Sequence, residues 1–375
     1  MLKRYYSDKI KESLLPNKVL VIYGPRQIGK TTLVNEFLKD YSGKIYKTTG
    51  ENADIREILE SSQFSKILPF FEGYDLIVID EAQKIQNIGQ GLKIIVDQIK
   101  GIKVIATGSS SFDLSNKIGE PLVGRQRIIN LFPLSAIELA DNFGNAYLYE
   151  NLENLLIFGS YPEVITAKNF NEKTTILALI RDAYLYKDIL ELESIRNSQK
   201  ILSLLKLIAF QIGKEVSLQE LGNSLDMSKN TVERYLDLLE KAFVIKRVFG
   251  FSRNLRKEIT KTSRFYFLDN GIRNAVIGNF NNLSSRDDVG MLWENYLFME
   301  RMKKREYRQI YASQYFWRTY DQKEIDLVEE RDGKLFGYEF KWGGKKTRPP
   351  KDWISTYSNA EYQIIDRKNY LDFIL

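Results

Sequence analysis

At 375 residues the chain is longer than one hydrophobic core organises, so two or three domains are expected. Its 43% hydrophobic and 28% charged content is that of a globular protein, and no run approaches the ~20 apolar residues of a membrane span. With no cysteine and no histidine, disulfides, thiolate centres, imidazole catalysis and most zinc sites are excluded. Any metal must then be hard and oxygen-bound, Mg²⁺ or Mn²⁺. The net charge of +6 hints at a polyanionic partner. The first residues, MLKRYYSDKIKESLL, lack the apolar core of a secretory signal, so a cytoplasmic location is expected.

Residues 1–18 read as a short amphipathic helix ending near Pro16-Asn17. Val19 to Tyr23 is an apolar run expected as a strand buried on both faces. After it Gly24, Pro25, Arg26, Gln27, Ile28, Gly29, Lys30, Thr31 and Thr32 spell G-x-x-x-x-G-K-[ST] between a strand and a helix. Such a loop turns backbone N–H groups around a β-phosphate at a helix N-terminus. Lys30 would add charge between the β- and γ-phosphates, and Thr31 a hydroxyl ligand to Mg²⁺. A bound nucleoside triphosphate is the expectation.

The helix should run to about Asp40, with a strand at Lys44 to Thr49. Asp75 to Glu81 reads as a buried strand delivering two carboxylates to its C-terminal end, where α/β sheets bind ligands. Asp80 is expected to hold Mg²⁺, usually through water, and Glu81 to polarise the attacking water. A helix at about Ile88 to Lys100 leads to a third strand, Val104 to Ala106, closed by Thr107-Gly108-Ser109-Ser110-Ser111. Hydroxyls there, Ser109 among them, either contact the γ-phosphate or lytic water, or are turn residues. Arg125 is a candidate to stabilise the transferring phosphoryl group, including from a neighbouring subunit; the competing reading is a solvated surface arginine.

From about Pro133 to Leu192 the pattern is helical, with a break at Gly159-Ser160-Tyr161-Pro162 and an apolar stripe of Ile176, Leu177, Ile180, Tyr184 and Ile189. It reads as a helical lid. Residues 198–268 read as a winged helix. A helix at Gln199 to Ile212 precedes Ser217 and Glu220 at capping-box spacing, a turn at Asp226-Met227-Ser228, and strands at Phe243 to Phe249 and Phe265 to Leu268. Lys229 and Arg234 of the recognition helix are offset by Glu233, Asp237 and Glu240. The stronger DNA footprint is Arg253, Arg256, Lys257, Lys261 and Arg264, with packing or oligomerisation as the alternative role.

Glu324 to Glu330 and Leu335 to Lys341 read as a hairpin turning at Asp332-Gly333, a preferred type I′ pair. Counting outward from a two-residue loop sets Asp326 opposite Glu339 and Glu324 opposite Lys341. Period two places Glu339 and Lys341 beside Asp326 on one face, and Ile325, Leu327, Phe336, Tyr338 and Phe340 on a buried one. Facing like charges destabilise a ladder, which a divalent cation between them would relieve. Glu294, in a helix among Leu292, Trp293, Tyr296 and Leu297, is a third carboxylate for such a site. Lys345, Lys346, Arg348 and Lys351 are candidate phosphate contacts. Glu, then Asp, then Glu-x-Lys is the pattern of the PD-(D/E)xK nuclease fold, whose acids bind Mg²⁺ and whose lysine steadies the attacking hydroxide or the phosphoryl charge. The bland reading is a surface hairpin with a Glu324–Lys341 ion pair and a solvated Asp326.

The ordered set GPRQIGKTT (24–32), DEAQ (80–83), TGSS (107–110), GRQRIINLFPLS (124–135), GSYPE (159–163), YFLDNGIRN (266–274), EIDL (324–327) and EFKW (339–342) resembles a family of bacterial and archaeal ATP-binding proteins. These join an AAA-type ATPase domain to a winged helix and a C-terminal domain of unknown function resembling PD-(D/E)xK nucleases. The expected fold is therefore α/β. A P-loop NTPase parallel sheet (1–132) with a helical lid (133–197) precedes a winged helix-turn-helix (198–280) and an α/β restriction-endonuclease-like domain (281–375). The resemblance implies ATP hydrolysis by Lys30, Thr31, Asp80 and Glu81, with Arg125 at the family's Gly-Arg position. It also implies a nuclease-like set of Glu294, Asp326, Glu339 and Lys341, with Asp326 and Glu339 on Mg²⁺ or Mn²⁺. Expected partners are ATP and DNA, with a homo-oligomer and no membrane. The alternative is an ATP-controlled protein-interaction switch with an inactive nuclease-like docking domain.

Overall fold

The structure, a computed structural model, describes residues 2–108, 121–182, 198–252, 263–319, 323–343, 348–357 and 359–375. The chain forms two compact units, Met1–Phe132 with Lys241–Phe243, and Pro133–Glu240 with Val244–Leu375. Among the described residues no helix is long and apolar enough to cross a membrane.

The first unit is built on five parallel strands, β1 (Lys18–Tyr23), β2 (Ile45–Thr49), β3 (Leu76–Asp80), β4 (Lys103–Gly108) and β5 (Gln126–Asn130), in the order β2-β3-β4-β1-β5. Val19 to Ile22 and Leu76 to Ile79 are at most 1% exposed, as their unbroken apolar runs require when both faces are covered. Ile55, Leu59, Ile67, Phe71, Leu92 and Ile95 pack into one core with Val19, Val21, Ile77 and Ile79. Because β1 lies between β4 and β5, the winding reverses beside it, and the loops leaving β1, β3 and β4 border one crevice.

Helices Lys30–Lys39 and Ile88–Gln98 stand where the sequence pattern puts them. Two more, Ala53–Glu60 and Phe64–Phe71, fill a stretch where none was expected; Asn52 caps the first by accepting from the N–H groups of Asp54 and Ile55. The lead-in helix shrinks to Ile10–Ser13, preceded by turns. β5 was not foreseen either. It is an edge strand with Ile128 half exposed, so it lacks the apolar run that marks a central strand.

The second unit carries one seven-stranded mixed sheet of β6 (Glu215–Val216), β7 (Ile245–Gly250), β8 (Ser263–Phe267), β9 (Ser313–Arg318), β10 (Glu324–Arg331), β11 (Lys334–Phe340) and β12 (Ala360–Ile365), in the order β12-β11-β10-β9-β7-β8-β6. Helices Leu218–Leu225 and Lys229–Lys241 follow one another across the turn at Asp226, and Ser217 caps the first by accepting from the Glu220 N–H. The strands after them do not close a small domain of their own. Phe249 and Gly250 of β7 pair in parallel with Tyr315 and Phe316 of β9, so the sheet continues into the hairpin.

The segment expected as a lid belongs to this same unit. Asn274, in the helix Asn270–Ile277, donates to the carbonyls of Leu156 and Ile157, and the Ser160 N–H donates to Asp269. Gly159 makes that approach possible: at φ +70° a Cβ would stand 2.0 Å from Asp269 Oδ1.

The hairpin keeps the counted register from Arg331 opposite Lys334 to Leu327 opposite Tyr338. Asp332 and Gly333 take φ of 50° and 71°, the two positive values of a type I′ turn. Beyond Leu327 the expected alternation breaks. β10 bulges against β9 between Ile325 and Val328, and both bury in one cluster with Trp317, Leu335 and Trp353. Nor is the acidic face solvated, since Asp326 and Glu339 are each only 6% exposed.

Candidate functional site

Between β1 and the helix Lys30–Lys39 the chain curls through Gly24 (φ 151°), Gln27 (60°) and Gly29 (90°). Gly24 tolerates no side chain, because a Cβ would stand 2.2 Å from Leu131 O. Lys30 is 5% exposed, and its Nζ donates to Gly24 O and Pro25 O at 2.8 Å each, which holds the ammonium inside the curl. Thr31 donates its hydroxyl to Asp80 Oδ2 at 2.8 Å, so the loop motif and the β3 carboxylate meet at one point.

Asp80 Oδ1 accepts from the Thr107 hydroxyl and, at 3.2 Å, from the Glu81 N–H, which Thr107 Oγ1 shares at 3.2 Å. Thr107 thus holds the Asp80 carboxylate and the Glu81 backbone together. Glu81 adopts a left-handed backbone (φ 50°, ψ 42°), and its carboxylate accepts from Gln83 Nε2. Strain of that kind costs on the order of 1 kcal/mol or more and gathers at functional sites. An ammonium, a hydroxyl, a carboxylate and a helix N-terminus are the donor set that suits a triphosphate with a hard cation.

Arg125 does not join this group. β5 runs parallel to β1 with Gln126 beside Val19 and Asn130 beside Tyr23, which leaves Arg125 at the opposite end of the strands, roughly 16 Å from the loop. There its Nε donates to Asp97 Oδ1 at 2.6 Å. Ser109 lies outside the described residues, as do Arg253, Arg256, Lys257, Lys261, Lys345 and Lys346. Sequence reading missed Arg4, which is 6% exposed and donates from Nη1 to Ile28 O and from Nη2 to Phe132 O at 2.6 Å. Nothing in its immediate neighbourhood marks it.

In the second unit the fold brings Glu294, of the helix Val289–Arg308, together with Asp326, Glu339 and Lys341. It adds Arg264, assigned above to DNA. Arg264 is 3% exposed and reaches among the acids: Nη2 is 2.7 Å from Glu324 Oε2, and Nη1 is 3.6 Å from Glu294 Oε1 and 3.8 Å from Asp326 Oδ1. The guanidinium also lies over the Phe316 ring at 4.5 Å. Tyr266, on the same face of β8, donates to Glu294 Oε1 at 2.7 Å. Two polar residues at period two in an apolar strand were the available signal.

Glu324 therefore pairs with Arg264 and not with Lys341, whose Nζ is 2.5 Å from Glu339 Oε1. Burial pushes the Glu294 carboxyl up to about 7; Arg264 and Tyr266 oppose the rise, and Glu324 and Glu339 add to it. Burial likewise raises Asp326, helped by Glu294 and Glu339, and raises Glu339 against the pull of Lys341.

An organic cation thus stands among the carboxylates where a divalent ion was expected. Among the described residues no three acids converge as metal ligands do. Of the expected DNA footprint, Lys229 and Arg234 are exposed beside the equally exposed Glu233 and Asp237, whereas Arg264 is out of reach of a phosphate backbone.

Residues 149–283 match a domain of unknown function (DUF8612), and residues 289–368 match another (DUF4143). The chain is similar to an uncharacterised protein of Mycobacterium tuberculosis, 26% identical over 348 residues covering 90% of this chain and 74% of that one. It is also similar to one of Methanocaldococcus jannaschii, 28% identical over 316 residues covering 79% and 69%. A Walker-type ATPase of Pyrococcus abyssi, a solved structure, aligns at 16% identity and a TM-score of 0.49, covering 74% of this chain and 96% of that one. Residues 16–140 match the AAA domain family. With the parallel sheet and the glycine-rich loop that ends β1, this stretch is an AAA-type, P-loop ATPase-like domain.

Proposed function

We propose that the first unit binds ATP with Mg²⁺ and hydrolyses it. The observation that carries this reading is the 2.8 Å contact of Thr31 with Asp80 beside the buried Lys30. Thr31 Oγ1 and the Asp80 carboxylate would hold the Mg²⁺, which supplies charge neutralisation for the β- and γ-phosphates. Lys30 would leave the carbonyls of Gly24 and Pro25 for the phosphates. Glu81, steadied by Gln83, would orient the attacking water and accept its proton. Lys30→Ala should lose ATP binding, measured by calorimetry, whereas Glu81→Gln should bind ATP and fail to turn it over. Turnover surviving both changes would sink the assignment.

For the second unit a specific observation favours the non-cleaving reading. The Arg264 guanidinium stands 3.6 Å from Glu294 and 3.8 Å from Asp326, two of the acids that a nuclease would offer to a metal, so we infer a nuclease-like fold that docks a partner under ATP control. Incubation with plasmid, Mn²⁺ and ATP should show no nicking. Nicking that disappears in Asp326→Ala would overturn this.

A further inference from the structure

Arg4 lies well ahead of the phosphate loop in the chain, yet its guanidinium is buried against it. Its Nη1 donates to Ile28 O inside the loop and its Nη2 to Phe132 O at 2.6 Å. Phe132 follows Leu131, whose N–H donates to Tyr23 O at 2.8 Å and whose carbonyl would lie 2.2 Å from a Gly24 Cβ. The stretch Leu131-Phe132 therefore backs the start of the loop directly and its end through Arg4.

We propose that Arg4 is a positioning residue of the nucleotide site, one that aims the Gly29 N–H at the phosphates. A trans peptide is planar, with its C=O and N–H on opposite sides. The Ile28–Gly29 peptide is trans, so fixing Ile28 O on the Arg4 side turns the Gly29 N–H to the side away from Arg4. That peptide needs an external anchor. Gly29 has φ +90° and no Cβ to restrict it. The first helical hydrogen bond, from the Leu33 N–H to Gly29 O at 2.9 Å, fixes the following peptide and leaves this one unset. A planar guanidinium can satisfy two carbonyls lying in different directions, which a lysine ammonium on its flexible stem does poorly. Preorganised N–H groups bind an anion without the cost of first being ordered. This inference deepens the ATP reading and rests on it.

The test compares the full-length wild type with Arg4→Met, Arg4→Lys and Lys30→Ala, measuring ATP and ADP binding by calorimetry, steady-state turnover, and melting with and without nucleotide. In Arg4→Met the Kd and KM for ATP should rise about tenfold, the scale of a lost charge-assisted hydrogen bond, while kcat at saturation changes little. Arg4→Lys should recover only part of the affinity. An Arg4→Met protein that binds ATP as wild type does would overturn the proposal; if that variant does not fold, wild-type affinity in Arg4→Lys overturns it equally. A loss of kcat with KM unchanged would also refute positioning. Wild type that binds no nucleotide would instead bring down the ATP reading itself, and this inference with it.

Discussion

Arg264→Met removes one buried cation and keeps most of the side-chain bulk. In the wild type that cation faces Glu324 at 2.7 Å, Glu294 at 3.6 Å and Asp326 at 3.8 Å. Removing one partner of a buried ionic group costs roughly 3–5 kcal/mol, because the remaining charges stay desolvated. The cost should depend on pH, with a definite sign. Glu294 already titrates near 7 with Arg264 in place, above the ordinary 4.5. Without Arg264 its carboxyl, and that of Asp326, should move higher. The folded state then binds protons that the unfolded state has released, so stability falls as pH rises through that window. The loss should be smaller near pH 5, where Glu294 holds its proton in the folded state, and larger at pH 8, beyond the value of about 7 that Glu294 has with Arg264 in place. Urea unfolding followed by tryptophan fluorescence reads this out cleanly. All four tryptophans, Trp293, Trp317, Trp342 and Trp353, lie in the second unit. Equal destabilisation at both pH values, or none at either, would refute the electrostatic account.

Glu329 is fully buried and accepts from Arg301 Nε and Nη2 at 2.9 and 2.8 Å, with Arg305 and Arg331 at 3.7 and 3.6 Å. Glu329→Ala should therefore cost roughly 3–5 kcal/mol in the same fluorescence assay, and a loss under about 1 kcal/mol would contradict it. Arg125→Ala should leave ATP turnover unchanged at every protein concentration, because the side chain sits at the far end of the strands in an exposed ion pair. Abolished turnover would instead show that it acts from a second subunit. Gly24→Ala should lose ATP binding in calorimetry, since the loop must move off Leu131 O to admit the methyl group.

Some of this protein is written locally. The loop from Gly24 to Thr32 could be identified because its backbone conformation, its flanking apolar strand and its helix are all specified within a few residues of one another. The Asp332-Gly333 turn likewise fixed the hairpin register as far as Leu327, since two residues able to adopt positive φ leave little choice of loop. Asp80 and Glu81 could be placed by the same means, as the polar end of a wholly apolar strand.

Arginine fates were decided at long range. Arg264 finds Glu324 across 60 positions of sequence, and Arg4 finds Phe132 across 128. Arg125 is removed from the phosphate loop by the parallel pairing of β5 with β1. The strands after the helix–turn–helix join the hairpin's sheet because β9 pairs with β7, which no local pattern announces. Propensity and periodicity act over one turn or one strand, whereas strand order and the partner of a buried charge are set by burial summed over the whole unit. Sequence alone thus determined the chemistry at the end of β1. Only the tertiary structure decided which cation meets the acids of the second unit.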